Sequence, residues 1–151
     1  MAKKIVLNVD YEHTFLAIGI CSPQKDYRLC WLLNKNLETD LRKIRDFSYT
    51  PPGSRENLDF TVYRYLNERK RMDYSLVSNR SSGYMLFSEP KNLDYLFLVR
   101  NPSDQFTPIG LLTMIRKTPF VQAAFMVDGK LGKQENAFFF DFELFLSQKK
   151  T

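Results

Sequence analysis

Apolar and polar residues alternate in several short stretches of the chain, and this period of two predicts β-strands. One stretch, residues 93–100, is apolar on both faces, which indicates a strand at the centre of a sheet. Residues 58–63 and 74–79 lie on either side of a charged connection and predict a hairpin. The predicted strands cover residues 4–11, 58–63, 74–79, 84–88, 93–100, 120–130 and 137–146.

Longer apolar spacings predict helices in two parts of the chain. Between residues 11 and 45 we expect two helices, or one helix with a sharp corner, because residues 22–26 contain a serine-proline break. Within this region, residues 27, 30, 31 and 34 recur at the spacing of one helix face. Residues 107–118 predict a later helix, with a threonine at its start, a proline at its first position and a proline after its end.

The predicted order of elements is β-α-α-β-β-β-β-α-β-β. Consecutive strands joined by tight turns pair antiparallel, and few helices are available to cover the sheet. The sequence therefore predicts a single α+β domain over residues 1–151, with a mostly antiparallel sheet and its helices packed on one face. Residues 49–57 contain two prolines and a glycine, and we interpret them as a loop.

The composition indicates a folded chain with a large aromatic core. It has 13 Phe, 8 Tyr and 1 Trp, so most of these rings must pack inside or line a groove. The longest apolar runs are well short of the roughly 20 residues needed to cross a bilayer, and the first residues lack the pattern of a signal peptide. We therefore expect no membrane contact and a cytoplasmic location, with Cys21 and Cys30 as reduced core residues.

The sequence offers few groups for catalysis. Its single histidine is His13, and the cluster of Asp10, Glu12 and His13 is interpreted as a solvated turn rather than a metal site. No phosphate-binding loop, nucleotide fingerprint or paired-cysteine zinc pattern occurs, so we assign no catalytic residue, metal or cofactor. A small enzyme stays open as a third hypothesis, and it requires the following groups to converge: Asp10, His13, Glu89 and Asp94.

The predicted hairpin at residues 63–74 carries part of the net charge of +5. Its basic residues interleave with tyrosines, the mixture that proteins use to bind single-stranded nucleic acids. A charged hairpin tip also protects strands from edge-to-edge association, which is the interpretation we favour. Nucleic-acid (RNA) binding is kept as the alternative function, with the candidate residues Arg64, Arg69, Lys70 and Arg71.

The predicted helix after residue 26 carries a second candidate surface. Tyr27 and Trp31 share one face, and Arg28 could reach an acidic residue on a neighbouring strand. Buried Tyr and Trp residues usually act as core anchors whose polar tips find a partner. We therefore favour core packing here, and a binding groove is the alternative.

The segment "FSEPKNLDY", residues 87–95, resembles the motif that names the IPExxxVDY family, a family of small bacterial proteins without an assigned activity. Glu89 matches the motif glutamate, and Asp94 and Tyr95 match its closing Asp-Tyr pair. Phe, Ser and Leu occupy the places of the motif Ile, Pro and Val. The segment "KDYRLCW", residues 25–31, is also similar to this family, so the resemblance extends over much of the chain.

Asp94 is the unusual residue of this motif, because a carboxylate in an apolar strand must find a cation or several N–H donors. Arg28 and Arg100 are the expected partners, and we favour a structural ion pair over an acid/base role. Glu89 is expected to accept hydrogen bonds from turn amides, while Tyr95 points to the face opposite Asp94.

These patterns together predict a non-enzymatic binding or scaffold module of a bacterial cytoplasm. Its expected partner is another protein or a second copy of the chain. The candidate binding residues are Glu89, Asp94, Tyr95, Tyr27, Arg28 and Trp31.

Overall fold

A computed structural model describes residues 14–103 and 106–148 of the chain. The strand predicted at residues 4–11 lies outside these described residues. The helices are α1 (Asp26–Leu37), α2 (Pro108–Arg116) and α3 (Glu135–Ser147). The strands are β1 (Phe15–Cys21), β2 (Arg42–Lys43), β3 (Phe47–Tyr49), β4 (Leu58–Phe60), β5 (Val62–Asn67), β6 (Met72–Ser78), β7 (Arg80–Ser81), β8 (Tyr84–Met85), β9 (Tyr95–Arg100) and β10 (Ala123–Met126).

Six of these strands form one antiparallel sheet in the order β10-β1-β9-β6-β5-β2. Strand β9 lies between β1 and β6, as its continuous apolar run predicted, and β5 pairs with β6 as the predicted hairpin. Two small two-stranded sheets, β3–β4 and β7–β8, accompany the main sheet. The predicted α+β class with a mostly antiparallel sheet is confirmed.

The side chains of β9 alternate between two apolar clusters on opposite faces of the sheet. Phe97 and Val99 pack in a cluster that contains buried residues of α1 and α2. Leu96 and Leu98 pack in the other cluster, which contains the buried phenylalanines of α3. Helices α1 and α2, which both lie where the sequence predicted a helix, therefore share one face of the sheet. Helix α3 covers the second face.

The strand predicted at residues 137–146 is wrong, because this segment belongs to helix α3. Its buried apolar side chains recur at helical spacing: they are Phe138, Phe139, Phe142, Phe145 and Leu146. Apolar residues are so dense here that both a period of two and a helical period fit the sequence. Burial against the sheet selects the helical one, and it leaves Leu144 exposed.

The helix expected in the first part of residues 11–45 is also wrong, because residues 15–21 form strand β1. This strand pairs with β9 on one side and β10 on the other. Its two faces meet the two apolar clusters, with Ala17 in one and Ile18 in the other. A strand that is buried on both faces does not alternate between apolar and polar residues. Its short apolar run therefore fits a buried helix segment equally well.

A group of charges around the buried Asp73 joins α3 to the sheet. Asp73 is 4% exposed and accepts two hydrogen bonds from Arg64, from Nε at 2.9 Å and from Nη2 at 2.7 Å. Arg64 also donates to the Leu146 carbonyl near the end of α3 at 3.1 Å. Arg100 lies 3.8 Å from Asp73 and 3.7 Å from Glu143 of α3. These residues join β5, β6, β9 and α3 at one end of the sheet.

Candidate functional site

Asp94, directly before β9, holds the loop between β1 and α1. Its Oδ2 accepts a hydrogen bond from the Ser22 amide at 2.9 Å, and its Oδ1 accepts one from Arg80 Nε at 3.0 Å. The expected partners Arg28 and Arg100 are therefore wrong. Arg100 lies at the far end of β9, roughly 20 Å along the strand at about 3.3 Å per residue, and Arg28 is exposed on α1.

Tyr95 provides a second tether to the same loop. Its hydroxyl donates to the Gln24 carbonyl at 2.6 Å, and its ring is buried. Burial and the negative charges of Asp26 and Asp94 raise the pKa of Tyr95 to about 12. The hydroxyl therefore remains a protonated donor at neutral pH. Asp94 and Tyr95 together fix the chain that enters α1.

Asn79 organises the other side of this region, although no sequence pattern indicates its role. It is fully buried between β6 and β7. Its Nδ2 donates to the carbonyls of Phe87 and Leu93 at 2.9 and 2.8 Å, and its Oδ1 accepts from the Phe87 amide at 2.9 Å. These bonds join the beginning of segment 87–95 to the residue that precedes Asp94.

Glu89 takes no part in this arrangement. Its side chain is exposed, and the structure shows no hydrogen bond or ion pair for it within residues 14–103 and 106–148. The expectation that Glu89 satisfies turn amides is therefore wrong. Asn79 bonds that segment from inside, so an exposed carboxylate is not needed there.

Asp94 and Tyr95 line an open cleft of about 570 Å³ at the start of α1. Lys25, Asp26 and Arg80 line the same cleft, so two carboxylates stand beside two cations. Asp26 accepts a hydrogen bond from the hydroxyl of Tyr63 at 3.2 Å, and Asp94 is paired with Arg80. The cleft is polar, and its charges balance.

Tyr27, Arg28 and Trp31 stand on the outward face of α1, so core packing, the interpretation favoured from the sequence, is wrong for them. Tyr27 is 64% exposed and Trp31 is 56% exposed. The inward face consists of other side chains: Leu29, Cys30, Leu32 and Leu33. The Lys35 ammonium lies 5.1 Å from the centre of the Trp31 ring, within the range of a cation–π contact.

The hairpin between β5 and β6 separates its basic residues from its tyrosines. Arg69, Lys70 and Arg71 are exposed at the tip. Tyr63 and Tyr74 are buried. Arg64, the fourth basic candidate, is bound to Asp73. Interleaving along the sequence therefore does not become a mixed aromatic and basic surface.

The thiols do not resemble catalytic nucleophiles. Burial raises the pKa of the Cys30 thiol to about 11, with Asp26 adding to the effect, and burial also raises the pKa of Cys21. Thiols with a raised pKa are almost entirely protonated at neutral pH and react slowly. In the described part of the chain, no group of three or more His, Cys, Asp or Glu side chains is placed to hold a metal. Asp10 and His13 lie outside that part.

None of the helices in the described residues is long and apolar enough to cross a membrane. No family model, no curated protein and no solved structure matches the chain. The resemblance of residues 87–95 to the IPExxxVDY motif therefore stays a prediction, and interpretation of the site depends on its geometry.

Replacing Asp94 with alanine is expected to lower the free energy of unfolding by about 2 kcal/mol, because the Ser22 amide and Arg80 both lose their partner. Urea denaturation measures this change. Glu89→Gln is the matched control from the same motif, and it should leave stability unchanged. Equal effects of the two substitutions would contradict the structural role assigned to Asp94.

Proposed function

We propose that this chain is a non-enzymatic protein-binding module whose contact surface is the outward face of α1. The observation that carries the proposal is the exposure of Tyr27, Arg28 and Trp31 on one helix face. Tyr, Arg and Trp are the residue types most enriched among those that dominate binding energy at protein interfaces. A tryptophan more than half exposed has no role in the core of this fold.

Fixed ends make α1 suitable for binding. Asp94 and Tyr95 hold the loop before the helix. Near the end of α1, the Asn34 side chain bonds the backbone of Leu41, which follows the helix. It accepts from the Leu41 amide at 2.8 Å and donates to the Leu41 carbonyl at 3.0 Å. Asn36 donates to the Met114 carbonyl of α2 at 2.6 Å. A surface fixed in this way loses little conformational entropy when a partner binds.

The charge around the face favours a partner with acidic groups. Lys25, Arg28 and Lys35 are exposed on α1 or directly before it, and Asp26 is engaged by Tyr63. Two copies that met through this face would place like charges together. We therefore propose a different protein as the partner, with carboxylates around an apolar anchor.

The nucleic-acid alternative has less geometric support. Its exposed cations, Arg69, Lys70 and Arg71, have no exposed tyrosine among the three of the hairpin: Tyr63 and Tyr74 are buried, and Tyr65 is half-buried and stacks on Tyr74 at 5.8 Å. Stacking platforms need open ring faces. The enzyme hypothesis gains no convergent group from the described residues, because Glu89 and Asp94 are not joined by a hydrogen bond.

The test is affinity capture from a lysate of the organism that encodes the chain, followed by a binding measurement with the purified partner. Trp31→Ala should weaken binding by about 10- to 100-fold, because truncating such an anchor commonly costs about 2 kcal/mol or more. Ile109→Ala is the matched control, since Ile109 is an exposed apolar residue of α2, 74% exposed. It should bind as the wild type does.

Three outcomes would contradict the proposal. A folded Trp31→Ala variant that keeps every partner removes the α1 face. Captured RNA, lost at high salt and after charge reversal of Arg69 and Arg71, favours the hairpin alternative. Sedimentation that shows a dimer of the wild type and a monomer of Trp31→Ala favours self-association.

A further inference from the structure

Strand β10 is one edge strand of the main sheet in the described part of the chain. The Val127 amide bonds the Ala17 carbonyl of β1 at 2.9 Å. In an antiparallel pair, only every second residue directs its backbone N–H and C=O groups toward the neighbouring strand. Because Val127 bonds β1, the backbone N–H and C=O groups of Ala124 and Met126 point away from β1. No strand pairs with that outer side among the residues that the structure describes.

A side chain of α2 already contacts this edge. Arg116 Nε donates to the Ala124 carbonyl at 2.8 Å, which confirms that this carbonyl faces outward. The Ala124 amide and both backbone groups of Met126 have no such partner in the described part of the chain. Ala124 is 4% exposed, whereas Met126 is only partly buried. A groove of about 460 Å³ runs beside them, lined by Arg116 and residues 121–125.

The opposite edge of the sheet is built differently. Strand β2 consists of Arg42 and Lys43, which are both exposed, and charges of this kind prevent further strand pairing. Strand β10 has the sequence AAFM and carries no charge. One edge is therefore blocked by charge, while the other has backbone groups without a partner among the described residues, beside a groove.

We propose that the β10 edge is a second binding surface, where an extended segment of a partner protein adds as a strand. Main-chain hydrogen bonds to Ala124 and Met126 provide the pairing, as in other complexes formed by strand addition. A carboxylate of the segment binds Arg116, since this guanidinium uses one of its five N–H donors on the Ala124 carbonyl. The exposed Lys117 adds positive charge.

A second copy of the chain fits this edge less well. Pairing two β10 strands about a two-fold axis would bring both Arg116 side chains to the same seam. An acidic extended segment places opposite charges there instead. The β10 edge is separate from the outward face of α1, so this inference does not depend on the function proposed above.

The test uses a displayed library of short random linear peptides, selected on the full chain. Selected peptides should be rich in Asp or Glu or end in a free carboxylate. In fluorescence polarisation, Met126→Pro should weaken their binding by about tenfold or more, because it removes an outward N–H. The ladder with β1 does not use that N–H, and Met126 is only partly buried. Met126→Leu retains the N–H and serves as the matched control, and thermal unfolding of both variants checks that each is folded.

Further variants separate this surface from the others. Arg116→Ala should weaken peptide binding, whereas Trp31→Ala should leave it unchanged. The proposal is overturned if no peptide is enriched, or if Met126→Pro binds the selected peptides as tightly as Met126→Leu does. Peptides without any carboxylate would overturn the role of Arg116. A wild-type dimer that Met126→Pro converts to monomer would assign the edge to self-pairing.

Discussion

Replacing Asp73 with alanine is expected to lower the free energy of unfolding by about 3 kcal/mol, because the substitution removes a buried carboxylate and leaves the partly buried guanidinium of Arg64 without its partner. Asp73 is 4% exposed and receives two hydrogen bonds from Arg64, while Arg100 lies 3.8 Å away. The Arg64 side chain, which also bonds the Leu146 carbonyl, would lose its orientation. The end of α3 should then loosen together with the sheet.

Urea denaturation of Asp73→Ala measures this loss, and Asp73→Asn separates charge from hydrogen bonding. The asparagine keeps an acceptor for Arg64 but no charge, so its loss of stability should be smaller than that of alanine. Arg69→Ala, at the exposed hairpin tip, is the control and should be neutral. A loss below about 1 kcal/mol in Asp73→Ala would show that the buried charges are not coupled as described.

Replacing Asn79 with alanine is expected to cost about 3–5 kcal/mol, since three hydrogen bonds to buried backbone groups disappear at once. The groups left without a partner are the Phe87 amide and the carbonyls of Phe87 and Leu93. Phe87 is 1% exposed and Leu93 is fully buried. Water reaches such positions poorly, so the cost of each unpaired group is close to its full desolvation penalty.

Chemical denaturation and hydrogen exchange together test the role of Asn79. Asn79→Asp keeps the acceptor for the Phe87 amide but loses both donors, so it should also destabilise the protein. Asn136→Ala changes an exposed asparagine of α3 and should be neutral or slightly stabilising. Unchanged stability of Asn79→Ala would mean that residues 87–93 are held by packing alone.

Local patterns predicted the parts of the fold that have a distinct sequence period. The hairpin of β5 and β6 and the central strand β9 follow from alternation and from continuous apolarity. Helix α2 begins at Pro108, as the threonine-proline pair indicated, although the Thr107 side chain makes no capping hydrogen bond. These elements are specified mainly by their own residues.

Tertiary packing decided the two segments that the sequence left ambiguous. Strand β1 is buried on both faces, and α3 is dense in phenylalanine, so neither shows a single clear period. Aromatic contacts between α3 and the sheet, such as Phe15 with Phe139 at 5.0 Å between ring centres, favour the helix. Such contacts join residues far apart in sequence, so the local spacing of apolar residues cannot reveal them.

Two residues around the cleft, Asp94 and Tyr95, were among the candidates from the sequence, but their connections were not predicted. They hold the loop that enters α1, while Glu89 of the same segment takes no part. The partner of Asp94 is Arg80, 14 residues before it, in a segment interpreted as a plain turn. Exposure of Trp31 could not be derived from the spacing of apolar residues, because Leu29, Cys30, Leu32 and Leu33 form a competing apolar face.

These observations support one connected interpretation. The side chains of Asp94 and Tyr95 fix the loop that enters α1, and α1 then presents Tyr27 and Trp31 to solvent. In this view the Asp94-Tyr95 pair is structural, and the surface we propose for binding is the helix beside it.

Amide hydrogen exchange of Asp94→Ala, compared with the wild type, tests this interpretation most directly. We predict that exchange at residues 22–26 and in the first turn of α1 becomes faster by more than the global loss of about 2 kcal/mol accounts for, whereas amides of β6 and β9 become faster by no more than that global loss. Exchange at residues 22–26 that follows only the global loss would contradict the tether. An equal excess acceleration throughout the sheet would show that Asp94 supports the whole fold rather than the position of α1.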